Sequence, residues 1–251
     1  MITPIKISPF ARRLSGGLTL QQIIDSANLT DAWTAENLTV VGTTTTMINY
    51  VGATNLVNPA ASNQPMLVSN EINGKPILRF TTDDILSATI ANWRSADTSG
   101  QITIVVKQNS TVAQTFFASS DTLTTKIWNV RKTATTNKLE HLHNAGNTVN
   151  AIITGTQNLG TSLFKVLTIA SDGSTDKMFV NGASETISSG TLGGKWLADF
   201  PTQRDNITIG GLIFSSTGYA DVDIFGAFYG NYTSDADIIA FHDKLKTYLG
   251  L

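Results

Sequence analysis

Two dipeptides constrain this chain more than any other feature. Within Leu163–Ile187 (LFKVLTIASDGSTDKMFVNGASETI), Ser171-Asp172-Gly173-Ser174 separates the apolar runs Phe164–Ile169 and Lys177–Val180, and Asn181-Gly182 follows at once. Asp-Gly and Asn-Gly between β-formers signal hairpins, because glycine takes positive φ at no steric cost and Asn or Asp tolerates it. The stretch is expected to form a three-strand meander with its apolar side chains turned into a core.

The same punctuation recurs. From Gln101 onward, strands are expected at Gln101–Lys107, Thr115–Ser119, Lys126–Arg131, Lys138–His143 and Val149–Thr154. They continue at Phe164–Ala170, Lys177–Val180, Glu185–Ile187, Asn206–Gly210 and Val222–Tyr229. Evenly spaced short strands with turn residues between them indicate an all-β, antiparallel jelly-roll sandwich. Earlier, Leu38–Val41 and Thr46–Val51 are short β-like runs, and Pro76 must sit at a strand start or edge. One good helix is expected, at the end. Ser234-Asp235-Ala236-Asp237 has a helix-start pattern, Ile238, Phe241, Leu245 and Leu249 make an apolar face, and Gly250 can stop it. Leu18–Ala27 has helical spacing for one or two turns. Residues 1–30, with Pro4, Pro9 and Arg12-Arg13, are read as an N-terminal arm and candidate tether. Residues 31–251 are read as one sandwich domain.

Composition narrows the function classes. The chain has 251 residues, net charge −2, and 14% charged residues, against roughly 25% in a typical soluble chain. That balance argues against nucleic-acid binding, which needs a basic face. Absence of cysteine excludes disulfides, thiolate zinc sites and cysteine nucleophiles. No apolar run approaches the roughly 20 residues of a membrane-spanning helix, and Met1–Leu20 lacks the layout of a secretory signal.

The order of motifs carries a resemblance. Trp33 is followed by Gln64-Pro65, then Asn73-Gly74-Lys75-Pro76 with Leu78 and Phe80, then Asp83-Asp84 and Leu86. Val180-Asn181-Gly182, Ile207–Gly211, Ile224–Tyr229 and the Ser-capped helix ending in Tyr248-Leu249 complete it. From Trp33 onward the chain resembles concanavalin A-like lectin/glucanase domains of the laminin-G-like kind, found in phage virion proteins and bacterial surface proteins. The resemblance implies two stacked curved sheets. In one respect the chain departs from it: such domains often carry a glutamate in the strand before the final helix, and Gly226 stands near that place.

Catalysis finds little support in the residues. Glucanases of this superfamily pair carboxylates on one strand, but Glu36, Glu71, Glu140 and Glu185 each lack a second acid at strand spacing. No Gly-x-Ser-x-Gly elbow occurs. His141-x-His143 would set two imidazoles on one strand face, a candidate metal pair weighed against a plain polar face. His242 is expected to be solvated. Calcium wants loop oxygens, and Asp83, Asp84, Asp121, Asp221 and Asp223 are candidates, with Asp221 and Asp223 preferred. Sugars stack on aromatic rings and hydrogen-bond to amides; Trp93, Trp128, Trp196, Phe214 and Tyr219 stand near polar loops, and Trp196 (with Asp199 and Gln203 in an irregular stretch), Trp128 with Asn129, and Tyr219 are singled out as carbohydrate-binding residues, each weighed against a core role. The expectation is a non-enzymatic glycan-binding module of a virion or cell surface, with no cofactor beyond a candidate Ca²⁺. Its partners would be glycans or a host-surface polysaccharide, other virion proteins, and its own copies through the arm. The alternatives are a structural capsid or tail decoration protein without a sugar ligand, or a glycoside hydrolase.

Overall fold

The computed structural model describes residues 5–6, 17–122, 126–145, 149–199, 204–213 and 219–251. The chain runs through β1 (Ile5–Lys6), α1 (Leu20–Asp25), β2 (Leu29–Val41), β3 (Thr44–Asn49), β4 (Leu56–Val57), β5 (Met66–Ile72) and β6 (Lys75–Phe80). It continues through β7 (Leu86–Thr89), β8 (Gly100–Gln108), β9 (Gln114–Ser120), β10 (Lys126–Lys132), β11 (Lys138–Ala145) and β12 (Val149–Asn158). The last elements are β13 (Lys165–Ser171), β14 (Asp176–Val180), β15 (Ala183–Glu185), β16 (Ile187–Ser189), β17 (Asn206–Ile209), β18 (Val222–Gly230) and α2 (Asp235–Leu249).

Every strand pairing is antiparallel. One layer runs β5–β6–β18–β8–β13–β14–β15, and the other runs β3–β4–β7–β17–β9–β10–β11–β12–β16. Strand β2 joins them, pairing with β18 through Leu29–Thr34 and with β3 through Leu38–Val41. The two short runs expected at Leu38–Val41 and Thr46–Val51 are therefore parts of a longer pair. Strand β2 is 13 residues long because it passes from one layer to the other.

The expected meander forms as β13–β14–β15. Asn181 (φ 53°) and Gly182 (φ 87°) link the paired residues Val180 and Ala183, as a type I′ turn requires. Between the layers lie Trp33, Phe80, Ile102, Ile104, Phe117, Trp128, Ile169, Trp196, Ile224 and Tyr229, all buried. Each contributes roughly 1.5–3 kcal/mol relative to exposure. The opposite face of the β18 layer is covered by the helices: Phe225 and Phe228 pack under Leu20, Ile24, Phe241 and Leu245, and the Phe228 and Phe241 rings meet edge-on at 5.5 Å.

Helix α2 begins and ends as its sequence predicts. Ser234 caps the N-terminus by accepting from Asp237 N–H at 3.1 Å, and Gly250 closes it in the left-handed region. Tyr248 Oη donates to Glu36 at 2.8 Å, and Lys75 stands 3.9 Å over the Tyr248 ring. Burial, then the Glu36 charge, pushes the Tyr248 phenol up. Leu20, Ile23 and Ile24 of α1 are buried against the layer that β18 centres.

His242 is a correction to the sequence reading: it is buried, not solvated. Nδ1 accepts from Gly182 N–H at 2.8 Å, which assigns the proton to Nε2, 2.6 Å from Thr168 Oγ1. Thr168 Oγ1 in turn lies 2.6 Å from Thr103 Oγ1. Burial lowers the His242 pKa to about 3. The folded form therefore gains stability above the unfolded value near 6.5 and loses it as pH falls toward 3, by up to about 1.4 kcal/mol per pH unit. Thermal unfolding followed by circular dichroism should show Tm falling between pH 6.5 and 4, with a shallower fall in His242→Gln.

Candidate functional site

The structure brings together few of the residues that the sequence singles out. Trp128 and Trp196 are fully buried, so neither ring offers a face to a sugar. Trp128 alternates with Val130 on the inward face of β10 and meets the Trp196 ring edge-on at 5.2 Å. Trp196 Nε1 donates to Tyr229 Oη at 3.0 Å, which donates to Asp97 at 2.7 Å. Gly100 makes room for it, since a Cβ there would lie 2.4 Å from Trp196 Nε1. Asn129 is buried with its amide 3.4 Å from Thr115 Oγ1. Tyr219 is half-buried over Gly211 and makes no ring contact with either tryptophan. Phe214 and Gln203, also near the expected sugar residues, lie outside the described residues.

The calcium pair is likewise corrected. Asp223 is buried on β18 between its cross-strand partners Arg79 on β6 and Lys107 on β8. Arg79 grips both carboxylate oxygens at 2.7 and 2.9 Å, Lys107 reaches one at 2.7 Å, and Asn109 donates at 3.1 Å. Burial acts to raise the Asp223 carboxyl, but the hydrogen bonds from Arg79, Lys107 and Asn109 together outweigh it and hold the group below its usual range. Cations of the protein fill the place of a metal, so Asp221 and Asp223 do not form a pair of calcium ligands. The carboxylate of Asp84 is committed to Thr81 N and Oγ1. His141 and His143 share an inward face as expected, but burial lowers them to about 3 and about 2, and no group of three metal-ligating side chains occurs among the described residues.

A different site emerges between the loop after β3 and the segment after β7. It is a polar cleft of about 280 Å³ lined by Asp31, Gly52–Thr54 and Ile90–Arg94. Asn49 is its keystone: Oδ1 accepts from Ala32, Val51 and Gly52 N–H, and Nδ2 donates to Asp31 Oδ1 at 2.7 Å. The other Asp31 oxygen receives Arg94 through Nε at 3.1 Å and Nη2 at 2.7 Å. Arg94 Nη2 also reaches Thr30 O, and Nη1 makes no hydrogen bond to a described residue. Glycine is required at position 52, where a Cβ would sit 2.3 Å from Asp31 Oδ1.

Both walls are tied to the core. Trp33 Nε1 donates to Thr54 O at 2.7 Å on one side. On the other, Trp93 packs on Tyr229 at 4.7 Å and Phe117 at 5.5 Å. Its neighbours Asn92 (φ 53°) and Arg94 (φ 55°) are both left-handed, a backbone state that asparagine tolerates but that is unfavourable for arginine. Backbone bonds Asn92 N–H to Arg204 O and Ile90 N–H to Asp205 O anchor the segment. The cleft offers fixed donors and acceptors. Its single lining carboxylate, Asp31, is neutralised by Arg94, so the two free carboxylates of glycoside hydrolysis are not present there.

No protein-family model matches the chain, and no curated protein matches it in sequence. Among solved structures, it is similar to a Trypanosoma rangeli sialidase complex, with TM-score 0.62 and 9% identity over 88% of this chain and 33% of that one. It also matches the CBM40 of a Ruminococcus gnavus IT-sialidase bound to α2,3 sialyllactose, at TM-score 0.48 and 19% identity over 57% of this chain and 81% of that one. This chain thus spans a third of the length of the trypanosomal protein, and the likeness to that protein is one of fold.

Removing Arg94 would leave the buried Asp31 carboxylate without its cation. Arg94→Met should therefore cost about 3 kcal/mol in urea unfolding. Adding Asp31→Asn to that variant should recover part of the loss.

Proposed function

We propose that this chain is a non-enzymatic glycan-binding module and that the Asp31–Arg94 cleft is its sugar subsite. The observation that carries this reading is the strained, doubly anchored segment Asn92–Arg94 holding Arg94 on Asp31 at the mouth of a polar cleft. Strained backbone persists where the surroundings over-determine it, and such places cluster at binding sites. A hydroxyl-rich ligand needs interleaved donors and acceptors, which Arg94 Nη1 and the loop backbone supply. The concanavalin A-like resemblance and the weakly charged surface support the same reading. They favour display on a virion or cell surface.

A second reading, structural decoration of a capsid or tail, draws on the pairing of Ile5–Lys6 with Val40 and Thr39 at the free edge of β2. An N-terminal strand of that kind can also tether a module or join copies.

Glycan-array screening followed by calorimetry tests the first reading. Wild-type protein should bind at least one glycan class with or without calcium. Ala53→Trp, which fills the cleft from an exposed position, should abolish binding while leaving Tm unchanged. Absence of binding across the array, or binding that survives Ala53→Trp, would remove the cleft from consideration. No reducing ends should appear when any bound polysaccharide is incubated with the protein.

A further inference from the structure

The peptide group joining Asn181 to Gly182 is held at both ends by α2. Its N–H donates to His242 Nδ1 at 2.8 Å, and its carbonyl oxygen accepts from Lys246 Nζ at 3.1 Å. The Asn181 side chain is polarised too. Oδ1 accepts from Val166 N–H at 2.8 Å, whereas Nδ2 makes no hydrogen bond to a described residue. Both turn residues are half-buried and within reach of water.

We propose that Asn181-Gly182 is a self-modification site, at which the C-terminal helix promotes deamidation of Asn181 through a cyclic imide. Gly182 N attacks Asn181 Cγ, and the N–H proton passes to His242 Nδ1. The Cγ–Nδ2 bond then breaks, and ammonia departs with that proton. Water opens the ring at either carbonyl, leaving an aspartyl or isoaspartyl linkage. The net change is one water consumed and one ammonia released; no oxidant or reductant takes part.

Each contact has a role in that sequence. The Lys246 ammonium stabilises the charge that gathers on the Asn181 carbonyl oxygen as the amide proton leaves. Val166 N–H stabilises the charge on Oδ1 as Cγ becomes tetrahedral. The Nε2–H of His242 faces Thr168, so the Nδ1 lone pair is directed at the proton to be taken. Burial makes a lasting imidazolium costly, and returning the proton to the departing ammonia avoids one. The ring opening that gives isoaspartate adds a methylene to the main chain of a two-residue turn. It would displace the N–H from His242 and the carbonyl from Lys246, loosening the seat of α2 as the protein ages.

An internal control is built into the chain. Asn73-Gly74 is the same dipeptide, also with both φ angles positive (49° and 76°), and is exposed. Its peptide group has neither an imidazole nor an ammonium against it; Asn73 Nδ2 makes one long contact to Tyr248 O at 3.5 Å. Purified full-length protein is incubated at neutral pH, digested, and the two Asn-Gly peptides are quantified by mass spectrometry. Asn181 should convert several-fold faster than Asn73 in the folded protein, and the two should convert at similar rates in urea. Lys246→Met, at a partly exposed side chain, should slow Asn181 several-fold without changing Asn73 or the circular-dichroism spectrum, and Lys246→Arg should restore the rate. Equal or slower conversion at Asn181 than at Asn73, or a rate indifferent to Lys246→Met, would overturn the proposal.

Discussion

Strand β18 is buried along its whole length, and both helices and both layers are assembled around it. Ile224, Ala227 and Tyr229 face the inter-layer core, while Phe225 and Phe228 face the helices. A strand buried on two faces cannot carry an uncompensated charge. Asp223 is tolerated because its neighbours on either side, Arg79 and Lys107, supply the opposite charge in register. Gly226 answers a second constraint on the same strand. A Cβ there would lie 2.7 Å from Trp33 O, so the approach of β2 to β18 leaves no room for a side chain at this place.

The cleft depends on that arrangement. Asp31 and Trp33 lie on the part of β2 paired with β18, and Trp93 packs on Tyr229 of β18 itself. Strain at Arg94 is sustained because the preceding side chain is locked in the core and the backbone is tied to Arg204 and Asp205. The energy that keeps the loop in an unfavourable state comes from packing well away from the cleft.

Much of the fold was legible because its signals are local. Turn dipeptides lie beside the strands they join, and nine of the ten strands expected after Gln101 are present with ends shifted by a few residues; where Glu185–Ile187 was expected, β15 and β16 meet at Thr186. The site was not legible, because its contacts are distant in sequence. Asn49, Asp31 and Arg94 come from three separate segments, and nothing near Arg94 announces a left-handed backbone. Asp223 reads as an acid at a turn until Arg79 and Lys107 are seen beside it. Other buried side chains follow from spacing alone. His242 falls at helical spacing from Ile238, Leu245 and Leu249, on the buried face, although its charged neighbours suggest solvent. Trp128 shares strand parity with Val130, and His143 with Leu139, both inward. Trp196 gave no such clue, since its place depends on the missing side chain of Gly100.

The two walls of the cleft hang from tryptophans whose rings cannot turn without disturbing the interior. An opening framed in this way can change its outline on those walls only by disturbing core packing. Selectivity would then come from refusal: molecules of the wrong outline stay out, and those that enter lose motion while the host loses almost none.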